Sequence, residues 1–287
     1  MTQPEAPAEP DAPTEPDASL EPTHSALDEA YLTKGDATGD SASGPVGERR
    51  YRDKPVSFVR RGGRMSDAQE WAWKELAPSY LIDVERDAAS TSVHPDARLD
   101  PAATYGRRAP LVVEIGSGQG HQIVHAAGAD PARDFLAIEV FRAGLARTMF
   151  DADRAGIDNL RLIEANAPEV LGTLLPEASI SELWVFFPDP WHKNRHTKRR
   201  LIQPEFAAVA RRALAPGGTL RLATDWEDYA LHMREVLDEA PGFERAFPGE
   251  WAERFSGRVL TAFERKGERA GRAIRDLTYR VTENAGG

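Results

Sequence analysis

Short apolar runs recur along the C-terminal two thirds of the chain, at LVVEI (111–115), FLAIEV (135–140), LRLIEA (160–165), LWVFF (183–187) and TLRLAT (219–224). Stretches with helical spacing of apolar residues, such as PEFAAVARRAL, separate them. Strands alternating with helices imply right-handed crossovers and a mostly parallel sheet covered on both faces. Two further strand-like pieces, RVLTAF (258–263) and RDLTYRV (275–281), are joined by a short segment holding Gly267 and Gly271, which predicts an antiparallel pair at one edge. The expected fold is therefore α/β, doubly wound, with a mostly parallel seven-stranded sheet and an antiparallel edge strand. Upstream, Ser66 and Gln69 have capping-box spacing and precede QEWAWKELA, so a helix is predicted there. Residues 84–109, rich in Asp, Ala, Pro and Ser, read as a connecting loop.

Composition sharpens this picture at the N-terminus. The net charge of -10 arises from residues 1–48, which hold eleven Asp/Glu and one Lys, while 49–287 are neutral overall. That acidic stretch also carries 7 of the 21 prolines and few large apolar residues, too little to offset the entropy of ordering, so it is expected to be disordered. The sign changes abruptly at RRYRDKPVSFVRRGGRM (49–65), with seven Lys/Arg against one Asp. The expected organisation is a tail over 1–48, a basic arm, helix and loop over 49–109, and the α/β domain over 110–287. No apolar stretch approaches the roughly 18 residues of a membrane span, and the acidic start lacks the features of a secretory signal, so no membrane association and a cytoplasmic location are expected. With no cysteine, thiolate metal sites and cysteine nucleophiles are excluded.

In an open α/β sheet, ligands sit beyond the carboxyl ends of the strands where the strand order reverses. The first strand runs into EIGSGQG, where Gly116 and Gly118 allow the backbone to turn tightly and approach a ligand. The spacing is G-x-G-x-G, and His121 occupies the position of the third glycine of a dinucleotide fingerprint, which disfavours a nicotinamide oxidoreductase. Glu139 ends the second strand, where a carboxylate can accept both hydroxyls of a ribose, and Asn166 follows the third, where an amide can meet an adenine edge. Together they fit a nucleoside cofactor without a pyrophosphate, such as S-adenosylmethionine. Each also has a plain structural reading: a turn, a solvated strand end, an Asx turn before Pro168.

The fourth strand opens into PDPWHKNRHTKRR (188–200), with five Lys/Arg and two His. The flanking prolines predict extended backbone at Phe187 and Asp189 and a fixed carboxylate beside the cofactor methyl. The basic run fits phosphate contact, against the alternative of a solvated charged face. His192 and His196 share i,i+4 spacing with His121 and His125, yet no third ligand accompanies either pair, so no metal is expected.

These residues resemble the bacterial tRNA (guanine-N7)-methyltransferases, with SFVRRGGRM, EIGSGQG, AIEVF, PDPWHKNRHTKRR, LATDWEDYA and TAFERKGERAGRAIRDLTY in the family's order across about 55–282. The acidic tail, Gln119, and Asn166 where an aspartate is common are departures. The resemblance implies a Rossmann-like methyltransferase sheet and N7 methylation of guanosine in the variable loop of tRNA, with S-adenosylmethionine as methyl donor. It further implies cofactor contacts at Glu114, Glu139, Asn166 and Asp189, with Asp189 also catalytic. Lys193, Asp225, Thr261, Ala262, Phe263 and Glu264 match guanosine-holding positions, and Arg195, His196, Thr197, Lys198, Arg199 and Arg200 match an RNA-contacting stretch. Asp225 fits equally well as the N-cap of a helix from Trp226. The rival readings are a methyltransferase for exocyclic amines, which tend to show an Asn/Asp-Pro-Pro-aromatic turn instead of Pro-Asp-Pro-Trp, and an RNA-binding module with an inactive cofactor pocket. Oligomeric state leaves no trace in the sequence.

Overall fold

The computed structural model describes residues 65–282; the acidic tail and the basic arm up to Arg64 lie outside the described residues. Its seven strands are β1 (Leu111–Ile115), β2 (Asp134–Glu139), β3 (Leu160–Glu164), β4 (Ile180–Phe186), β5 (Leu214–Thr224), β6 (Phe243–Arg245) and β7 (Arg275–Val281). They form one sheet in the order β3-β2-β1-β4-β5-β7-β6. The first five strands pair in parallel, and β7 runs antiparallel to both β5 and β6. Because β1 pairs with β2 on one side and β4 on the other, the strand order reverses between β1 and β4. A ligand crevice belongs there.

Burial on both faces follows the predicted pattern. Helices α1 (Asp67–Glu75), α2 (His121–Ala129) and α3 (Arg142–Arg154) cover one face, packing Ala72, Leu76, Ile123, Leu145 and Met149 against Val112, Phe135, Leu162 and Trp184. On the other face α4 (Pro204–Ala213) and α5 (Glu227–Glu239) lay Phe206, Tyr229, Met233 and Leu237 on Val113, Leu183, Val185 and Leu222. Each such fully buried large side chain contributes about 1.5–3 kcal/mol. The capping box at Ser66 and Gln69 forms as expected, and the Gln69 side chain also reaches the Ala143 carbonyl at 3.0 Å, tying α1 to the first turn of α3.

Three expectations about local structure need correction. RVLTAF (258–263) is not a strand: Gln122 of α2 takes the Val259 N–H at 2.8 Å and donates to the Gly257 carbonyl at 3.0 Å, and the chain then turns into α6 (Ala262–Arg269). The seventh strand is the three-residue β6, too short to announce itself by alternation. Residues 84–109 are not all loop, since Pro101–Tyr105 is a short helix capped by the Asp100 carboxylate at 2.9 Å. Phe187, finally, is left-handed (φ 52°) and not extended, with its N–H paired to the Ala223 carbonyl at 2.8 Å.

Candidate active site

β1 enters the glycine turn with Glu114, a position only 4% exposed. Gly118 (φ 58°) turns the backbone so that its N–H meets the Glu139 carboxylate at 2.9 Å, while the other Glu139 oxygen accepts from Val140 and Phe141 at 2.7 and 3.0 Å. Gly120 and Gly144 let the loop and α3 touch: a Cβ at Gly120 would stand 2.3 Å from the Thr148 hydroxyl, and one at Gly144 2.1 Å from the Gly118 carbonyl oxygen. No other residue fits either place.

Two acids on this rim face different fates. Burial pushes the Glu139 carboxyl up; its three backbone N–H groups oppose that, and repulsion from Asp189 adds to it. Glu114 has no such help. Burial and the neighbouring Glu139 push it up to about 8, and among the described residues its Oε2 finds no hydrogen-bond partner. The Ser117 hydroxyl in the same loop is also buried without one. An unpaired buried carboxylate beside a second acid costs free energy unless a cation or donor arrives. S-adenosylmethionine, carrying a sulfonium and an ammonium, fits that need.

Asp189 lies on the same rim, since Phe186 extends one residue past the Ile115–Val185 pairing and the Asp189 charge is felt by Glu139. Its side chain is exposed. The turn around it is bent sharply, with Phe187 and Trp191 (φ 45°) both left-handed, a conformation costing bulky residues ~1–3 kcal/mol each. Asn166 is placed differently. It is 2% exposed just past the end of β3, its N–H paired with the Thr91 carbonyl at 2.7 Å and its amide nitrogen with Glu169 at 3.0 Å.

Beyond the turn, a 3-10 helix (Asn194–Arg199) presents Lys193, Arg195 and Lys198 as exposed cations, with His196, Thr197 and Arg199 half-buried. Trp191 meets His196 edge-on at 5.8 Å and carries the Arg199 guanidinium over its ring at 5.2 Å. Loss of solvation and the surrounding cations hold His196 below its usual value. Arg200 breaks the pattern. At 3% exposure it is buried, while the other cations of the run are exposed or half-buried.

The family model described as "Putative methyltransferase" matches residues 108–277. A tRNA (guanine-N(7)-)-methyltransferase of Paenarthrobacter aurescens (strain TC1) is 48% identical over 278 residues, covering 80% of this chain and 92% of that protein. The chain belongs to the tRNA (guanine-N7)-methyltransferase family. Enzymes of the same name from Arthrobacter sp. (strain FB24), at 45% identity (80% and 87% covered), and Cutibacterium acnes (strain DSM 16379 / KPA171202), at 48% (82% and 86%), are similarly close. Among solved structures, the 16S rRNA methyltransferase KamB aligns at TM-score 0.46 and 18% identity over 79% of this chain and 99% of that one.

In this methyltransferase the remaining family positions are engaged within the protein. The Glu264 carboxylate is fully buried and pairs with Arg254 at 3.0 Å and with Arg258 at 2.9 Å; Arg258 also holds Asp276 at 2.7 Å and lies over the Phe187 ring at 5.3 Å. Asp225 does not cap α5, whose N-cap is Trp226 without a side-chain bond; instead it pairs with Arg272 at 2.7 Å. Thr261 is half-buried, and its hydroxyl accepts from the Glu264 N–H at 3.3 Å. Ala262 and Phe263 start α6, but their side chains lie outside the described set. Among the described residues no cluster of ligating side chains could hold a metal, and no helix is long and apolar enough to cross a membrane. Sequence reasoning missed Ser117, although it stands inside the quoted glycine motif, and Gln122, whose long-range bridging leaves no local signal.

Proposed function

We propose that this chain methylates N7 of guanosine in tRNA, at the variable-loop position, using S-adenosylmethionine. The carrying observation is the buried Glu114 carboxyl group, whose Oε2 has no hydrogen-bond partner among the described residues, at the strand-order reversal of a chain that belongs to the tRNA (guanine-N7)-methyltransferases. Glu114, Ser117 and the Gly116–Gly118 turn would hold the cofactor, with Glu139 shaping the loop and offering its remaining lone pair to the ribose. The cofactor supplies an electrophilic methyl group on a sulfonium.

Guanine N7 bears an in-plane lone pair and no proton, so no general base is needed to create the nucleophile. Positioning dominates, and favourable alignment can supply roughly 7–11 kcal/mol. Asp189, exposed on the rim, orients guanine by accepting from its N1–H and 2-amino edge, and its negative charge stabilises the cationic purine that forms. Lys193, Arg195, Lys198 and Arg199 grip phosphates. Asp225 and Glu264 reach the base only by exchanging their arginine partners, so in our reading they shape the far wall of the site through Arg272, Arg254 and Arg258. Nucleoside mass spectrometry of tRNA incubated with the purified protein and labelled methyl donor tests the proposal. Label in 7-methylguanosine is expected; label in an exocyclic N-methyl base, or none, refutes it.

A further inference from the structure

Within a run of cations the family pattern assigns to RNA, Arg200 is built into the protein. Its Nε donates to the Pro190 carbonyl at 2.9 Å, its Nη2 pairs with Asp228 of α5, and its guanidinium lies 4.8 Å from the centre of the Tyr229 ring. Its backbone N–H closes the 3-10 helix by donating to the Thr197 carbonyl at 3.0 Å. Tyr229 is itself fixed, buried and accepting from the Ile202 N–H at 3.1 Å, and it feels the charges of both Arg200 and Asp189. The Pro190 peptide is thereby fastened to α5 immediately after Asp189, between the two left-handed residues Phe187 and Trp191. A turn holding bulky residues in that conformation persists only when its surroundings over-determine it.

We propose that Arg200 is a positioning residue: through the Pro190 carbonyl and Asp228 it holds the strained turn that aims the Asp189 carboxylate, and it makes no contact with RNA. The planar fork can serve carbonyl, carboxylate and ring at once, and a lysine ammonium cannot. The inference rests on the methyltransferase reading for its catalytic consequence, but the turn's order can be read without catalysis.

The test compares wild type, Arg200→Lys, Asp228→Asn and Arg199→Ala below the thermal transition of each. Expected for Arg200→Lys is faster amide exchange across residues 186–193 and a single-turnover methylation rate lower by about 100-fold, the scale of a small misplacement of a reacting group. The salt dependence of its tRNA binding should match wild type, whereas Arg199→Ala should flatten it by about one unit of slope. Asp228, mostly exposed, gives a variant that folds even if Arg200→Lys does not, with the same changes in weaker form. Exchange and rate both unchanged, or a flattened salt slope in Arg200→Lys, would overturn the role. Wild-type protein that makes no 7-methylguanosine sinks the functional reading alone, and amide exchange then decides the positioning claim.

Discussion

The two walls of the candidate site treat their acids in opposite ways. On the β1/β2 side, Glu139 accepts from three backbone N–H groups and Glu114 is left with an unpaired oxygen. On the β5/β7 side every acid has an arginine: Glu264 with Arg254 and Arg258, Asp276 with Arg258, Asp225 with Arg272. The first wall keeps a deficit of positive charge that a cationic ligand can fill. The second is balanced in charge and works as scaffold, although Arg258 Nε is buried there without a hydrogen-bond partner among the described residues. Asp189 belongs to neither wall, being exposed on the strained turn between them.

The largest effect on turnover should come from the turn. Asp189→Ala should lower methylation by at least about 100-fold while tRNA binding remains measurable, as filter binding beside turnover would report. Next comes the balanced wall: Arg258→Met leaves Glu264 and Asp276 buried with fewer partners and should cost about 3–5 kcal/mol in denaturant unfolding, the range for breaking a buried ion pair. A loss near zero would mean the wall is not scaffold.

Smaller, but more specific, is the deficit side. The Glu114 carboxyl, raised from 4.5 to about 8, contributes most to the ligand-free fold below pH 4.5 and loses that contribution as pH rises toward 8. A bound cation favours the ionised form, so S-adenosylmethionine binding near pH 7 should release protons. Calorimetry in buffers of different ionisation enthalpy would show it, and Glu114→Gln should abolish the release and weaken binding by about 1.5–3 kcal/mol, the worth of a hydrogen bond to a charged group. Smallest is Arg199→Ala, which should reduce the slope of log affinity for tRNA against log salt by about 0.9 with little effect on the rate at saturating tRNA.

Features carried by a local run of residues could be read directly from the sequence. The five parallel strands, the capping box at Ser66 and the glycine turn all depend on neighbours a few positions apart. What escaped depends on partners far along the chain. RVLTAF has the composition of a strand, but Gln122, more than a hundred residues earlier, claims its backbone. Arg199 and Arg200 are indistinguishable in sequence; only Asp228, Tyr229 and the Pro190 carbonyl decide that one stays near the surface and the other turns inward. Phe187 looked extended because a proline follows it, and the pairing of its N–H with Ala223 overrode that local preference.

The contacts of Gly120 and Gly144 with α3 have a consequence for turnover. A loop meshed against a helix at two points, with less than a methyl group of slack at either, has no room to swing aside. Exchanging spent donor for fresh must then proceed with the glycine side standing still, as the fixed jaw of the vice.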